Sequence, residues 1–439
     1  MKIKLFIFLS LISLISLTGC NTMLSPLVKG EYFNYESTSY FQNFGDRLND
    51  EEYNYDIKIK APKEKLRNDF ACGVDISTIE MVEECGGVFY NEEGKEQNVY
   101  EILRENGVNF VRLRLWNDPF NKEGKSYGAG NNDILTDLKI MKKAKRVGMN
   151  ILLDFHYSDF WADPGSQTCP KAWVDTKDIN KAVYDYTFDA LKFYKDNGIN
   201  IDAVQLGNEI NNGLIYPYGK LNFSNYDNSL VNISNILKSA QKASKDVFKN
   251  IKTIVHLANA HDKNPFVRYL RALEKNNVDY DIIGVSAYPY WHGNKDNLYK
   301  NLNYVSTIFN KPVMIVETSY GYTFETNENV ENIFDKEKAK VSNYEVSPQG
   351  QVDLLCDEID VLSRINNNMG LGIFYWEPCW LPVKNANAGN SYGLAYQMGS
   401  DDISKFEEWK NGWANQCLFS YTGKMLPSLK VFSEIQKNN

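Results

Sequence analysis

A single α/β domain, a (β/α)8 TIM barrel, is what this sequence predicts, and three observations predict it. Short apolar runs at 70–74, 110–115, 150–155, 203–206, 253–257, 282–286, 312–316 and 371–375 read as eight buried strands. Helix-period stretches at 99–106, 133–147, 181–197, 230–249, 266–276, 298–309 and 352–366 separate them, and a last helix covers 427–436. This alternation indicates one barrel rather than two domains. Asn or Gly also follows five of the seven connecting helices just before the next strand: Asn106-Gly107, Gly148, Asn197-Gly198, Asn276-Asn277 and Asn310. That is the chemistry of helix C-caps.

Bulk properties agree with a folded chain. The 439 residues are 43% apolar and 13% aromatic, enough for a large core. A net charge of −8 with no basic stripe argues against nucleic acid as a partner.

In chain order, residues 1–20 form a targeting segment outside the fold. Lys2 and Lys4 precede an apolar stretch over 5–17, too short to cross a ~30 Å hydrocarbon core. Leu17-Thr18-Gly19-Cys20 follows and resembles the lipobox of bacterial lipoproteins, which implies an exported chain anchored to the envelope through lipid on Cys20. Residues 21–65 read as a tether. Tyr32, Phe33, Tyr35, Tyr40 and Phe41 make it too aromatic for a free spacer, and 56–60 alternates like a short strand. The catalytic barrel is assigned to 66–439. Its six cysteines, Cys72, Cys85, Cys169, Cys356, Cys379 and Cys417, fit either disulfides or buried thiols, and no C-x-x-C spacing suggests zinc.

In such a barrel the chemistry sits at the C-terminal ends of the strands. The second strand delivers Arg112, Arg114 and Trp116, the third Asp154, His156 and Tyr157, and Trp161 follows. The fourth, in V-Q-L-G-N-E-I-N-N, delivers Asn208 and Glu209. Tyr288, Tyr290, Trp291 and His292 follow the sixth, Glu317 ends the seventh, and Trp376, Glu377 and Trp380 follow the eighth. Each residue alone has a plainer reading. His156 is then a hydrogen-bonded structural histidine, Arg112 a barrel ion pair, and Trp409 and Trp413 core residues. Their concentration at one rim argues otherwise, because flat rings with polar edges are what sugar faces stack on. Glu209 and Glu317 lie on strands that face each other across the mouth. Two carboxyls about 5 to 5.5 Å apart are the geometry of a retaining glycoside hydrolase.

N-E-I at 208–210 with E-T-S-Y at 317–320 resembles clan A of the glycoside hydrolases. Within it the chain is similar to family 53, whose members are endo-β-1,4-galactanases. V-R-L-R-L-W-N-D-P at 111–119, D-F-H-Y-S-D-F-W-A-D-P at 154–164, Y-P-Y-W-H-G at 288–293 and F-Y-W-E-P at 374–378 carry the likeness, which spans about 70–429. The resemblance implies Glu209 as acid/base, Glu317 as nucleophile and Asn208 on the sugar 2-hydroxyl. It also implies Tyr288 as a hydrogen bond to the nucleophile, Arg112 or Arg114 as the cation that keeps it ionised, and Trp376 as the floor of the cleavage subsite. Asp154, His156, Trp116, Trp161, Trp291 and His292 complete the expected substrate-binding set.

Bacterial members of that family often bind calcium in the loop after the seventh strand. Here the expected ligand positions read Thr326, Glu328, Val330 and Asn332, and Thr and Val are poor replacements, although Glu325 or Asn327 offer other oxygens. No cofactor is expected for the reaction, and a calcium there would be structural. The expected partner is a galactan polysaccharide, bound by a monomer that meets the membrane only through Cys20. Two alternatives stand beside this reading: a clan A enzyme on another β-1,4-glycan such as mannan, and a surface glycan-binding lipoprotein without catalysis. The two acids speak against the second, since binding alone needs no such pair.

Overall fold

The structure is a computed structural model that describes residues 56–327 and 330–437. The signal segment, Cys20 and the tether as far as residue 55 lie outside the described residues. Eight parallel strands close a barrel: β1 (Ala71–Asp75), β2 (Phe110–Leu115), β3 (Asn150–Phe155), β4 (Ala203–Leu206), β5 (Lys252–Leu257), β6 (Ile282–Ser286), β7 (Val313–Thr318) and β8 (Gly370–Trp376). Each pairs with its neighbours in sequence, and β8 closes on β1 in the register Ala71 to Gly372 through Asp75 to Trp376. The helices that follow them are α1 (Val99–Glu105), α2 (Ile134–Arg146), α3 (Ile179–Asp196), α4 (Tyr226–Val247), α5 (Lys263–Lys275), α6 (Lys295–Phe309), α7 (Pro348–Ser363) and α8 (Val431–Lys437).

Local chemistry explains where the helices begin and end. The side chains of Asn98, Asp133, Asp178, Asn294 and Ser347 accept backbone N–H groups in the first turns of α1, α2, α3, α6 and α7. Gly107, Gly148, Gly198, Asn277 and Asn310 all take positive φ just beyond the helix ends, as their residue types suggested.

Strand parity then divides the barrel interior into two levels. Ala71, Leu152, Ala203, Ile254, Ile282, Met314, Val316 and Phe374 form a closed apolar floor. Two residues further along β3, β4 and β5 the same inward parity presents Asp154, Gln205 and His256, and four further along β1 and β6 it presents Asp75 and Ser286. All five are fully buried. The lower barrel is therefore a packed core and the upper barrel a polar layer beneath the rim.

The structure departs from the sequence reading in two places and decides between the two readings open for the cysteines. Residues 56–60 form no strand. Their alternation is used against α7 instead: Ile57 and Ile59 pack on the core, Lys58 exchanges backbone hydrogen bonds with the Gln349 amide, and Lys60 pairs with Asp353. The loop after β4 carries an unforeseen hairpin, Gly213–Leu214 with Gly219–Lys220. All six described cysteines are buried free thiols.

Tight packing at the β8–β1 seam supplies a test. Gly73 sits opposite Phe374, and a Cβ on residue 73 would lie 2.2 Å from the Phe374 ring. Gly73→Ala is expected to lower stability by about 1–3 kcal/mol, read as a drop in urea midpoint, because the fully buried ring must shift within the apolar floor to make room. An unchanged midpoint would contradict this packing.

Candidate active site

The rim of the barrel opens into a cleft of about 990 Å³. Of the residues singled out in the sequence, Arg112, Arg114, His156, Trp161, Asn208, Glu209, Tyr288, Trp291, His292, Glu317 and Trp376 line it. Trp116 and Asp154 do not. Trp116 is fully buried in a cluster with Tyr127, Ala129 and Phe160, and its indole N–H donates to His156 Nδ1 at 3.1 Å. Asp154 lies one side-chain level below the rim, within the polar layer. Both support the cleft from beneath, a correction to the expectation that they contact ligand.

Arg112 is the hub of the layer. Its guanidinium reaches Asp75 at 2.6 Å, Asp154 at 2.7 Å and Glu317 at 2.7 Å. It also donates to Gln205 Oε1 at 2.7 Å and Asn208 Oδ1 at 2.9 Å. Arg114, two residues on and of the same parity, goes elsewhere: it pairs with Glu377 at 2.6 Å and lies 4.4 Å from the centre of the Trp161 ring. The sequence left the two arginines equivalent, whereas the structure puts Arg112 alone on Glu317. Burial works against the Asp154 carboxylate, but Arg112 and His156 hold it below the ordinary range.

Glu317 reaches the cleft through an irregularity. Ile315 pairs with Val285 on β6, yet the next pair is Ser286 with Glu317, so β7 carries an extra residue there. Val316 already points into the apolar floor, and strict alternation would turn Glu317 outward. The bulge brings it inward instead. Glu317 Oε2 accepts the Tyr288 hydroxyl at 2.9 Å while Oε1 meets Arg112.

Glu209 is set by backbone rather than by a bulge. Gly207 leaves β4 with φ 95°, and Glu209 itself adopts a left-handed conformation at φ 47°. Tyr157, Asn259 and Glu377, just beyond β3, β5 and β8, share that rare conformation. Such residues cost of order 1–3 kcal/mol each and concentrate at functional rims. Asn208 accepts from Arg112 and donates to the Ala162 carbonyl at 2.8 Å, which leaves one amide hydrogen for a ligand.

The two carboxyls have different electrostatic surroundings. Burial raises both. The Glu317 charge pushes Glu209 further up, whereas Arg112 and the Tyr288 hydroxyl draw Glu317 back. A single proton shared by the pair therefore belongs on Glu209. His292 is neutral, its imidazole pulled down to about 4 by burial, and its Nδ1 accepts the Tyr288 backbone N–H.

Aromatic rings build the walls. Trp376 packs edge-on to Trp413 at 4.5 Å and lies 6.1 Å from both Trp161 and Trp380. Trp291 is half exposed, 5.2 Å from Tyr288 and 6.5 Å from Trp413. Trp409 is 45% exposed on the cleft rim, and Trp413, though buried, also lines it, so neither is a plain core residue. Sequence reading missed both because they come from the long segment after β8, far from any strand end. It missed Asp75, Gln205, His256 and Ser286 too, although each is a polar residue at inward parity within or at the end of an apolar run, a signal strand alternation could have used.

In the loop after β7 the expected calcium ligands are only partly described, and two of the asparagines donate their amides to backbone carbonyls. Asn332 donates its amide to the Phe324 and Glu325 carbonyls, and Asn327 to the Pro382 carbonyl. Val330 has no donor oxygen in its side chain, and Glu328 lies outside the described residues. Among the described residues no group of three or more His, Cys, Asp or Glu side chains is placed to hold a metal ion.

Comparison with known proteins agrees with this architecture. A family model described as glycosyl hydrolase family 53 matches residues 71–432. An endo-beta-1,4-galactanase of Bacillus subtilis (strain 168) is 36% identical over 386 residues, 84% of this chain and 86% of that protein. An arabinogalactan endo-beta-1,4-galactanase of Humicola insolens is 33% identical over 380 residues, 83% of this chain and 98% of that protein. A solved family 53 catalytic domain from Ignisphaera aggregans superposes with a TM-score of 0.79 at 36% identity, covering 87% of this chain and 99% of that one. The chain is thus a glycoside hydrolase and belongs to glycosyl hydrolase family 53.

Proposed function

We propose that this hydrolase cuts β-1,4-galactosidic bonds within galactan, such as the side chains of pectin, with retention at the anomeric carbon. The observation that carries the mechanism is the contrast between the two acids in one cleft. Glu317, oriented by Arg112 and Tyr288, is fitted to attack the anomeric carbon as a carboxylate. Glu209, driven to its protonated form by burial and by the Glu317 charge, is fitted to give its proton to the departing glycosidic oxygen. That step forms a galactosyl ester on Glu317. Glu209, now ionised, takes a proton from water, the water oxygen attacks the same carbon, and Glu317 leaves. No metal or cofactor enters this sequence.

Substrate contacts follow from the same geometry. The free amide hydrogen of Asn208 suits the sugar 2-hydroxyl, where a bond that tightens as oxocarbenium character develops lowers the barrier. Trp376, backed by Trp413, suits the floor of the cleavage subsite, and Trp161 and Trp291 extend the stacking surface along the cleft. Galactan as the substrate rests on the names of the relatives, and the open aromatic cleft favours cleavage within a chain.

Incubation with linear galactan, mannan and cellulose is expected to release short galacto-oligosaccharides of retained configuration from galactan alone. Inverted products would remove Glu317 from the nucleophile role, and cleavage of mannan with galactan untouched would replace the substrate. Glu209→Gln and Glu317→Gln are each expected to lower kcat by several orders of magnitude while oligosaccharide binding persists. Normal turnover in either variant would overturn the assignment.

We also propose that the chain is exported and held at the cell envelope by lipid on Cys20, a reading supported by the charged, apolar and L-T-G-C pattern of residues 1–20. Labelling of the protein by radioactive palmitate, abolished in Cys20→Ser, is the expected result. An unlabelled wild-type chain free of the membrane fraction would refute it.

A further inference from the structure

Glu209 is held from behind by two residues whose side chains come from different strands. Ser286, the last residue of β6, donates its hydroxyl to Glu209 Oε1 at 2.5 Å. His256 of β5 places Nε2 2.9 Å from the same Ser286 oxygen. Both residues are fully buried in the polar layer.

The hydrogen-bond pattern around them has one consistent assignment. Gln205 presents its oxygen to Arg112 Nε, so its amide nitrogen faces Asp154 Oδ1 and His256 Nδ1, each at 3.0 Å. The backbone N–H of Glu209 also points at Nδ1, at 3.3 Å. Asn208 Oδ1 lies 3.0 Å from that nitrogen, but two N–H donors outweigh one acceptor, and Asn208 Oδ1 is already satisfied by Arg112. Nδ1 therefore accepts, and the ring hydrogen sits on Nε2. From there it donates to Ser286 Oγ, which leaves the serine hydrogen no better target than Glu209.

We propose that His256 and Ser286 are a positioning relay for Glu209, in which the Nε2–H of a neutral imidazole keeps the serine hydroxyl aimed at Oε1 and confines the transferable proton to Oε2. The proposal rests on the reading of Glu209 as the acid/base. It adds that one carboxyl oxygen is a fixed acceptor and the other is the reactive one.

The charges around the relay favour this arrangement. Glu209 faces Glu317 from β7, Arg112 from β2, Asp163 from the loop after β3 and the Tyr288 phenol beyond β6. His256 faces Arg112, Asp154 and His156. Burial first, and then Arg112, hold the His256 imidazole well below its ordinary range, so it stays neutral while Glu209 titrates. The serine hydrogen bond is stronger to a carboxylate than to a carboxyl, and it opposes the upward push of burial and Glu317 on Glu209. It therefore keeps the group acidic enough to release its proton in the first step and to be regenerated in the second.

The test is the pH dependence of kcat/KM on linear galactan, where the basic limb reports Glu209 and the acidic limb Glu317 in the free enzyme. Removing a donor to the charged form raises the Glu209 pKa, so Ser286→Ala is expected to move the basic limb upward by about one unit. The acidic limb should stay in place, and Ser286→Thr, which retains the hydroxyl, should restore the wild-type profile. If Ser286→Ala does not fold, Ser286→Cys carries the same expectation, because a thiol is a weak donor. A carboxyl carbon NMR titration of Glu209 in the full chain, identified by its loss in Glu209→Gln, reads the same shift without turnover. A wild-type protein inactive on galactan would thus defeat the functional reading while the relay is still measured. An unchanged Glu209 titration in Ser286→Ala, or an equal shift in Ser286→Thr, would overturn the relay.

Discussion

The structure of the site depends on one buried guanidinium. Arg112 touches three carboxylates, Asp75, Asp154 and Glu317, and two side-chain amides, Gln205 and Asn208, while itself almost wholly sealed from solvent. Burying that many charges has a desolvation cost that a lone ion pair would not recover. The layer recovers it by giving nearly every acceptor a further donor. Ser77 bonds Asp75, His156 and Gln205 bond Asp154, and Tyr288 bonds Glu317. Removing Arg112 would leave three carboxylates competing for protons, so the charge state of Glu317 and the integrity of the upper barrel are tied together.

A stiff scaffold follows from this constraint. The apolar floor below the polar layer fixes the strands, and the polar layer fixes the rim, so Glu317 is presented by β7 itself and Glu209 by the tight turn that leaves β4. Just past the strand ends four residues adopt positive φ, and of these Glu209 brings its side chain into the cleft. Trp116, buried under His156 and bonded to its ring, props up the rim from beneath. The aromatic walls are assembled differently. Trp161 and Trp376 stand near their strands, whereas Trp409 and Trp413 arrive from the segment after β8 and close one side of the cleft.

Most of the fold and part of the site could be read without coordinates, for identifiable reasons. Alternating apolar runs and capped helices are local signals, and a (β/α)8 barrel is built from local repeats, so strand order and helix ends followed directly. The rule that barrel chemistry sits at strand C-termini located Glu209, Glu317, Asn208, Tyr288 and Trp376 at one cleft. The same rule placed Trp116 and Asp154 there as well, and it overreached because it does not tell a rim residue from the one that props it up. His256, Ser286 and Gln205 escaped notice because a single polar residue in an apolar strand looks like noise until the barrel brings several together.

The sequence by itself determined the barrel, the membership of the strand ends and the family likeness, because these depend on periodicity and on short strings of residues. Only the tertiary structure decided how the two acids differ. An extra residue in β7 turned Glu317 inward against strict alternation, and a left-handed backbone turned Glu209 toward the Ser286 hydroxyl. Parity made Arg112 and Arg114 equivalent, yet Arg112 alone met Glu317 while Arg114 was taken by Glu377. Each of these outcomes depends on what lies across the barrel, on strands tens to hundreds of residues away in the chain. Local patterning carries no record of that distance, and only closure of the sheet brings such groups within hydrogen-bonding reach.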